Sequence, residues 1–249
     1  VQKNKIQLYC NQVFVTDQVE GVVPDFLTLL HGVIDSPDIP LNVSRSYLQS
    51  DPNVKKISSH ISKKVADKLE EMFKTDRAAF EAKWDDVKVF VEYGMITDTK
   101  FYERAEKFTL FKDTSGKYYT LNEYKDLVKE TQTNKEKELV YLYTTNTIEQ
   151  DTYISSAVNR GYNVLIFDGV LDSHYINTLE QKFEKTKFTR VDGDVIDKLI
   201  QKEENNLSGL TDDQKEQLKP LFEEVVDKTS YQIQFENMSS GDQPVLITQ

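Results

Sequence analysis

The spacing of hydrophobic positions along the chain predicts alternating strands and helices. Residues 6–17 and 138–146 are rich in β-branched and aromatic side chains, which is typical of strands. Residues 52–74 instead carry apolar side chains mostly four positions apart, which predicts a long amphipathic helix. Residues 80–94 contain a short alternating run, but over the longer window their apolar positions follow the helical period. We therefore expect a second helix there, with Trp84 in the core.

The region before the long helix gives two further predictions. The apolar phase reverses within residues 6–17, and a β-bulge near Asn11 and Gln12 would explain the reversal. Residues 24–35 start with a proline and have Gly32 near their end, which predicts a short helix.

The second half of the chain predicts a βαβ unit. Thr120 and Glu123 form a capping box, which marks the start of a helix. The elements that follow are a strand at 138–146, a helix at 151–161, a strand at 162–169 and a helix at 172–183. Strands separated by single helices in this way are expected to pair in parallel.

The last part of the chain is predicted to begin another domain. Residues 201–209 have the polar composition of a linker. A second capping box, Thr211 with Gln214, starts a further helix. Two strand-like runs, YQIQFENM and PVLITQ, come after it.

Composition and charge restrict the function. The chain has 249 residues, of which 38% are hydrophobic, and a formal net charge of −11 at pH 7. This acidic balance argues against nucleic-acid and membrane partners, which require a basic surface. The single cysteine, Cys10, excludes an internal disulfide and indicates a reducing compartment, for which we expect the cytoplasm. Because the chain begins at Val1 and not at a methionine, we expect it to be part of a longer protein.

The sequence contains no self-contained catalytic motif. His31, His60 and His174 lie in different elements without the spacing of metal ligands, so no metal site is predicted. The nine glycines form neither a phosphate-binding loop nor a dinucleotide turn. Asp172 follows a strand and is interpreted as a helix N-cap.

The stretch DIPLNVSRSYLQ, residues 38–49, is the one candidate for chemistry. Ser44 is suited to capping a helix, which would place Arg45 and Gln49 one turn apart on the same face. Two interpretations remain open from the residues alone. Arg45 is either an ordinary surface arginine or a guanidinium that contacts a phosphate outside this chain.

Several segments resemble one protein family. PLNVSRSYLQ, residues 40–49, resembles the P-L-N-[VIL]-S-R-E-x-L-Q signature in the middle domain of the ninety-kilodalton heat-shock protein chaperones, in particular the bacterial form. LYCNQVFVTD, TLNEYKDLVKE, ELVYLYTTN and YNVLIFDGVLDSHYINTL are similar to other segments of that family. The resemblance covers most of residues 6–249. Ser46 stands where the family usually has Glu, so any ion pair made by that Glu is absent.

The resemblance implies an α/β fold of two α/β/α layered subdomains joined by a short helical coil. A truncated α+β C-terminal segment is expected to follow them. The implied limits are 1–115 for the large subdomain with the helical coil, 116–204 for the small subdomain, and 205–249 for the beginning of the C-terminal domain.

The resemblance also implies a role in an ATP-dependent molecular chaperone. A middle-domain arginine of this family reaches the γ-phosphate of ATP, which the N-terminal domain binds with Mg²⁺. That arginine is Arg45 here, with Gln49 as its polar partner and with Asn42 and Ser44 shaping the loop. The full-length protein is then expected to be an ATPase, whereas this chain alone is expected to bind no cofactor and to hydrolyse no ATP.

The implied partners are unfolded or partly folded client proteins, the chain's own N-terminal ATPase domain, and a second copy joined through C-terminal helices. His174, Tyr175 and Asn177 lie at the start of a helix that faces the client cleft in relatives, so they form a predicted client-binding patch. The alternative from another class is a non-enzymatic, acidic α/β protein-interaction scaffold. Such a scaffold predicts intact ATP hydrolysis but lost partner binding when Arg45 is replaced.

Overall fold

A computed structural model of the chain describes residues 5–17, 21–27, 31–37, 52–201, 210–226 and 231–235, together with positions 245, 247 and 248. These residues contain both helices and strands, which confirms the predicted α/β class. The chain divides into two compact units. The first comprises Val1–Lys112, Tyr118–Tyr124 and Gly169–Lys182, and the second comprises Asp113–Lys117, Lys125–Asp168 and Phe183–Gln249. The predicted domain limits at residues 115 and 204 stay predictions.

Eight strands and eight α-helices lie within the described residues. In the N-terminal half they are β1 (Lys5–Cys10), β2 (Val13–Thr16), β3 (His31–Asp35), α1 (Pro52–Thr75), α2 (Arg77–Thr97), α3 (Thr99–Ala105), β4 (Leu110–Lys112) and β5 (Tyr118–Thr120). The C-terminal half contains α4 (Leu121–Val128), β6 (Leu139–Thr144), α5 (Asp151–Asn159), β7 (Val164–Ile166), α6 (Asp172–Lys182), β8 (Thr186–Arg190), α7 (Ile196–Leu199) and α8 (Asp212–Glu223).

The first unit contains a three-stranded sheet in the order β2-β1-β3. Strand β1 is antiparallel to β2 and parallel to β3. Asn11 and Gln12 have φ values of 49° and 67°, so they form a tight two-residue turn between β1 and β2. The predicted bulge at these two residues is therefore wrong, because the reversal of apolar phase marks the corner of a hairpin. The register shift lies instead between Leu8 and Tyr9.

The helix predicted over residues 24–35 is also wrong. Asp25–Leu27 form a single 3₁₀ turn, residues 28–30 are outside the described ranges, and His31–Asp35 form β3. The β-branched side chains of Val33 and Ile34 suit an extended backbone, and pairing with β1 along five residues stabilises it. Long-range strand pairing thus outweighs the local helix pattern.

Three helices follow in the first unit, and the first two, α1 and α2, agree with the helical periodicity of the sequence. Helix α1 has 24 residues and α2 has 21. Trp84 in α2 is only 2% exposed, which confirms its predicted place in the core. Asp98 joins α2 to α3, and its Oδ1 accepts hydrogen bonds from the N–H groups of Lys100 (2.9 Å) and Phe101 (3.1 Å). This capping fixes the start of α3.

The second unit contains a parallel sheet in the order β7-β6-β8. The succession β6, α5, β7 confirms the predicted βαβ unit. Val140, Leu142 and Val164 are at most 1% exposed and form part of its apolar core. Gly161, with φ 76°, follows the end of α5 as predicted, because a left-handed conformation favours glycine there.

The C-terminal helix agrees with its local signal. In α8 the Gln214 N–H donates to Thr211 Oγ1 (3.3 Å) and the Thr211 N–H donates to Gln214 Oε1 (2.9 Å), which confirms the second capping box. Residues 231–235, the described part of the run YQIQFENM, do not form a strand. Most of the predicted linker, 202–209, is outside the described residues.

Candidate functional site

The predicted phosphate-contacting residues fall in one segment. Arg45, Gln49, Asn42 and Ser44 all belong to residues 38–51, which are outside the described ranges. The structure describes the two flanks of this segment, β3 with Ser36 and Pro37 on one side and α1 on the other.

Both flanks are held within the first unit. The Ser36 N–H donates to the Tyr9 carbonyl oxygen (3.0 Å), which extends the pairing with β1 past the end of β3. The Asp35 carboxylate accepts a hydrogen bond from the Gln12 N–H (3.0 Å) and so ties β3 to the hairpin turn. On the other side, Val54 in the first turn of α1 is 2% exposed. The segment that carries Arg45 is therefore flanked by a hydrogen-bonded strand on one side and by a helix with a buried residue in its first turn on the other.

The other four arginines of the chain are engaged by carboxylates. Within the described residues, Arg77 pairs with Glu81 and Glu123, Arg104 with Asp67, Arg160 with Asp197, and Arg190 with Asp192. A guanidinium already bound to a carboxylate must break that pair before it can bind a phosphate elsewhere. The contacts of Arg45 lie outside the described residues, so its role as the phosphate-contacting arginine stays a prediction.

Arg77 is the arginine that pairs with two carboxylates. Its Nη2 donates to Glu123 Oε2 (2.7 Å) and its Nε donates to Glu81 Oε1 (2.7 Å). Glu123 also accepts from the Thr120 N–H (2.8 Å), which confirms the first predicted capping box. The hydrogen bond from Arg77 lowers the pKa of Glu123 to about 2, and the same contact raises the pKa of Arg77. This cluster ties α2 to the start of α4 and is structural.

Helix α6 carries the predicted client-binding residues and separates them. His174 and Asn177 are exposed and lie three positions apart, so they share one face of the helix. Tyr175 is 1% exposed and its hydroxyl donates to Met95 Sδ (3.7 Å). Burial raises the pKa of this hydroxyl well above its ordinary value. We therefore remove Tyr175 from the patch, because its side chain faces the core with Leu179.

The turn before α6 contains an exposed residue, Val170, that the sequence patterns missed, and Asp172 closes this turn. Asp172 is the first residue of α6, and its Oδ2 accepts a hydrogen bond from the Gly169 N–H (2.7 Å). It closes the turn before the helix instead of preceding the helix as an N-cap. Val170 lies in this turn and is 88% exposed. The sequence did contain a signal for this exposed contact point, namely an apolar side chain in a turn between Gly169 and Asp172.

Neither metal binding nor membrane insertion is indicated by the described parts of the chain. In those ranges no three His, Cys, Asp or Glu side chains are grouped so that they could hold a metal ion. Nor does any helix within the same ranges combine the length and the apolar character required to cross a membrane.

Comparison with known proteins decides the family. All of residues 1–249 match the family model described as Hsp90 protein. The chain belongs to the Hsp90 family. It is 57% identical to the chaperone protein htpG of Bacteroides fragilis and 58% identical to the chaperone protein HtpG of Porphyromonas gingivalis. Both alignments cover 100% of this chain, which confirms the predicted resemblance to the bacterial form of the family.

More distant relatives match in part. The chaperone protein HtpG of Geobacter sulfurreducens is 30% identical over 201 residues, or 78% of this chain. The chain spans only 37% of the length of the Bacteroides and Porphyromonas relatives. The activity and partners of a full-length Hsp90 protein therefore depend on a longer sequence than this chain.

Proposed function

We propose that this chain is the middle segment of an ATP-dependent chaperone and that it supplies Arg45 to the γ-phosphate of ATP. The match of the entire chain to the Hsp90 family is the observation that carries the proposal. ATP and Mg²⁺ are held mainly by an N-terminal domain of the longer protein, where the metal neutralises phosphate charge.

Arg45 acts in this proposal through charge and geometry. A guanidinium presents a planar fork of N–H donors that fits two phosphate oxygens and stabilises the charge that develops during transfer. Gln49 adds a polar contact, and Asn42 and Ser44 shape the loop. The engagement of the other four arginines by carboxylates supports this assignment.

We also propose that α6 contributes to binding of unfolded or partly folded clients in the cytoplasm. His174 and Asn177 offer polar contacts, and the exposed Val170 adds an apolar one at the start of the same helix. Mixed polar and apolar surfaces of this kind suit partners that expose part of their cores. The other partners are the N-terminal ATPase domain and a second copy joined through C-terminal helices.

The test is the variant Arg45→Ala in a full-length Hsp90 protein that carries this chain. We expect ATP turnover to fall about 10- to 1000-fold, as for other lost transition-state donors, while ATP affinity changes little. Steady-state hydrolysis and equilibrium ATP titration measure the two quantities separately. Near-normal hydrolysis together with lost partner binding would instead support the non-enzymatic acidic scaffold.

A further inference from the structure

A cationic cleft of about 650 Å³ lies between α1 and α3 in the first unit. Its basic and titratable side chains are Lys56, His60, Lys63, Lys100, Arg104 and Lys107. The acidic side chains that line it are Asp98 and Glu103. Five Lys or Arg residues thus face two carboxylates, in a chain whose overall net charge is −11. The cleft is a local reversal of the charge of the molecule.

The basic side chains form two rows with the same spacing. Lys56, His60 and Lys63 occupy positions i, i+4 and i+7 of α1, and Lys100, Arg104 and Lys107 repeat that spacing along α3 and the turn after it. Residues at this spacing lie on one face of a helix. With a helical rise of about 1.5 Å per residue, each row is about 10 Å long. The two walls of the cleft therefore present matching lines of positive charge.

Much of the nearby negative charge is already engaged. The Asp98 carboxylate caps α3. Asp67 accepts a hydrogen bond from Arg104 (3.3 Å), and Glu70 accepts one from Lys74 (2.6 Å). Three cations of the cleft, Lys56, Lys63 and Lys100, have no ion pair with any residue that the structure describes. Their ammonium groups are exposed to solvent and are accessible to an anionic ligand.

Ser62 adds a hydroxyl group to the lining of the cleft. The residue as a whole is only 6% exposed. A hydroxyl in this place can donate a hydrogen bond to an oxygen of a bound anion.

We propose that this cleft binds a small linear oligophosphate, either free or as the tail of a nucleotide. An anion with two or three phosphate groups distributes its charge along its length and so matches two lines of positive charge, whereas a single phosphate contacts fewer of these side chains. The volume of the cleft is within the range of about 300–1,000 Å³ that small-molecule sites occupy. An acidic polypeptide would require a broader surface, so the concave shape favours the small ligand.

The experiment is calorimetric titration of the 249-residue chain with inorganic triphosphate, orthophosphate and ATP. The test variant is Lys56→Gln with Lys63→Gln, and the matched control is Lys55→Gln with Lys64→Gln. All four lysines are exposed on α1 and both variants remove two charges, but Lys55 and Lys64 do not line the cleft. We expect the triphosphate Kd to rise about 10-fold or more in the test variant and less than about 2-fold in the control.

Titrations with the other anions and with a Ser62 variant identify the ligand. Triphosphate is expected to bind at least about 10-fold more tightly than orthophosphate, because the longer anion carries more charge and contacts more of the cations. ATP binding of equal strength assigns the nucleotide tail, and its absence assigns the free oligophosphate. Ser62→Ala is expected to weaken triphosphate binding without changing the melting temperature.

Several outcomes would overturn the proposal. Equal weakening in the two double-lysine variants would show diffuse attraction by the basic side chains of α1. Equal Kd values for triphosphate and orthophosphate would show that the ligand does not contact the two basic rows together. Binding of an oligoglutamate peptide without triphosphate binding would assign the cleft to an acidic protein, and the absence of binding by every anion would leave the cleft without the proposed role.

Discussion

Two charged regions of the first unit use the same residue types in opposite ways. At the junction formed by Arg77, Glu81 and Glu123, the guanidinium binds both carboxylates at hydrogen-bond distance. In the cleft between α1 and α3, cations outnumber carboxylates, and Asp98 is engaged in capping a helix. The difference indicates that matched charges hold secondary-structure elements together, whereas the unmatched charges are available to a ligand.

The largest effect on stability is expected from Arg77→Ala. This change leaves two carboxylates without their partner, one of which also caps α4. We expect the free energy of unfolding to fall by about 1–2 kcal/mol, measured by urea denaturation. The comparison variant is Arg104→Ala in the cleft, whose single contact with Asp67 is long at 3.3 Å and should be worth less than about 0.5 kcal/mol. Equal losses of the free energy of unfolding in the two variants would show that the ion pairs of the junction and of the cleft contribute equally to stability.

Acid should weaken the junction through Glu123. Its pKa is about 2 in the folded chain and 4.5 ordinarily, so its contribution is fully present above pH 4.5 and is lost as the pH falls towards 2. Because 44% of this side chain is exposed, solvent screening reduces that contribution to about 1 kcal/mol. The stability difference between the unaltered chain and Arg77→Ala should therefore shrink between about pH 6 and about pH 3. A difference that is constant over this interval would contradict the assignment.

The smallest effect on stability is expected in the cleft itself. Lys56→Gln with Lys63→Gln removes two cations that have no ion pair with the described residues. The free energy of unfolding should stay within about 0.5 kcal/mol of its original value, measured by the same denaturation. A loss of more than about 1 kcal/mol would show that these lysines stabilise the fold. The charges of the cleft would then have a structural role, as those of the junction do.

Local signals predicted much of the fold. The capping boxes at Thr120 and Thr211 each depend on contacts over three residues, so the sequence alone was sufficient to find them. Helix α1 likewise follows from its own apolar stripe. The helix predicted over residues 24–35 is wrong because a partner distant in sequence decides the structure there. Strand β3 exists through its pairing with β1, which no local pattern in residues 24–35 reveals.

The candidate sites likewise combine features that are visible in the sequence with features that depend on tertiary contacts. The spacing of Arg45 and Gln49 is visible in the sequence, but their contacts lie outside the described residues. Tyr175 was assigned to the client-binding patch because the start of this helix faces the client cleft in relatives, whereas the helical period places it on the buried face of α6. Each basic row of the cleft is visible in the sequence, but the approach of α1 to α3 is a tertiary contact.

The most direct measurement compares two arginines in a full-length Hsp90 protein that carries this chain. Arg45→Lys and Arg160→Lys make the same chemical change, and Arg160 is bound to Asp197 within the chain. In single-turnover hydrolysis at saturating ATP, we expect Arg45→Lys to be slower by about 10-fold or more, because lysine lacks the planar fork, and Arg160→Lys to differ by less than about 2-fold. Unchanged hydrolysis in Arg45→Lys and in Arg45→Ala would contradict the proposed role of Arg45.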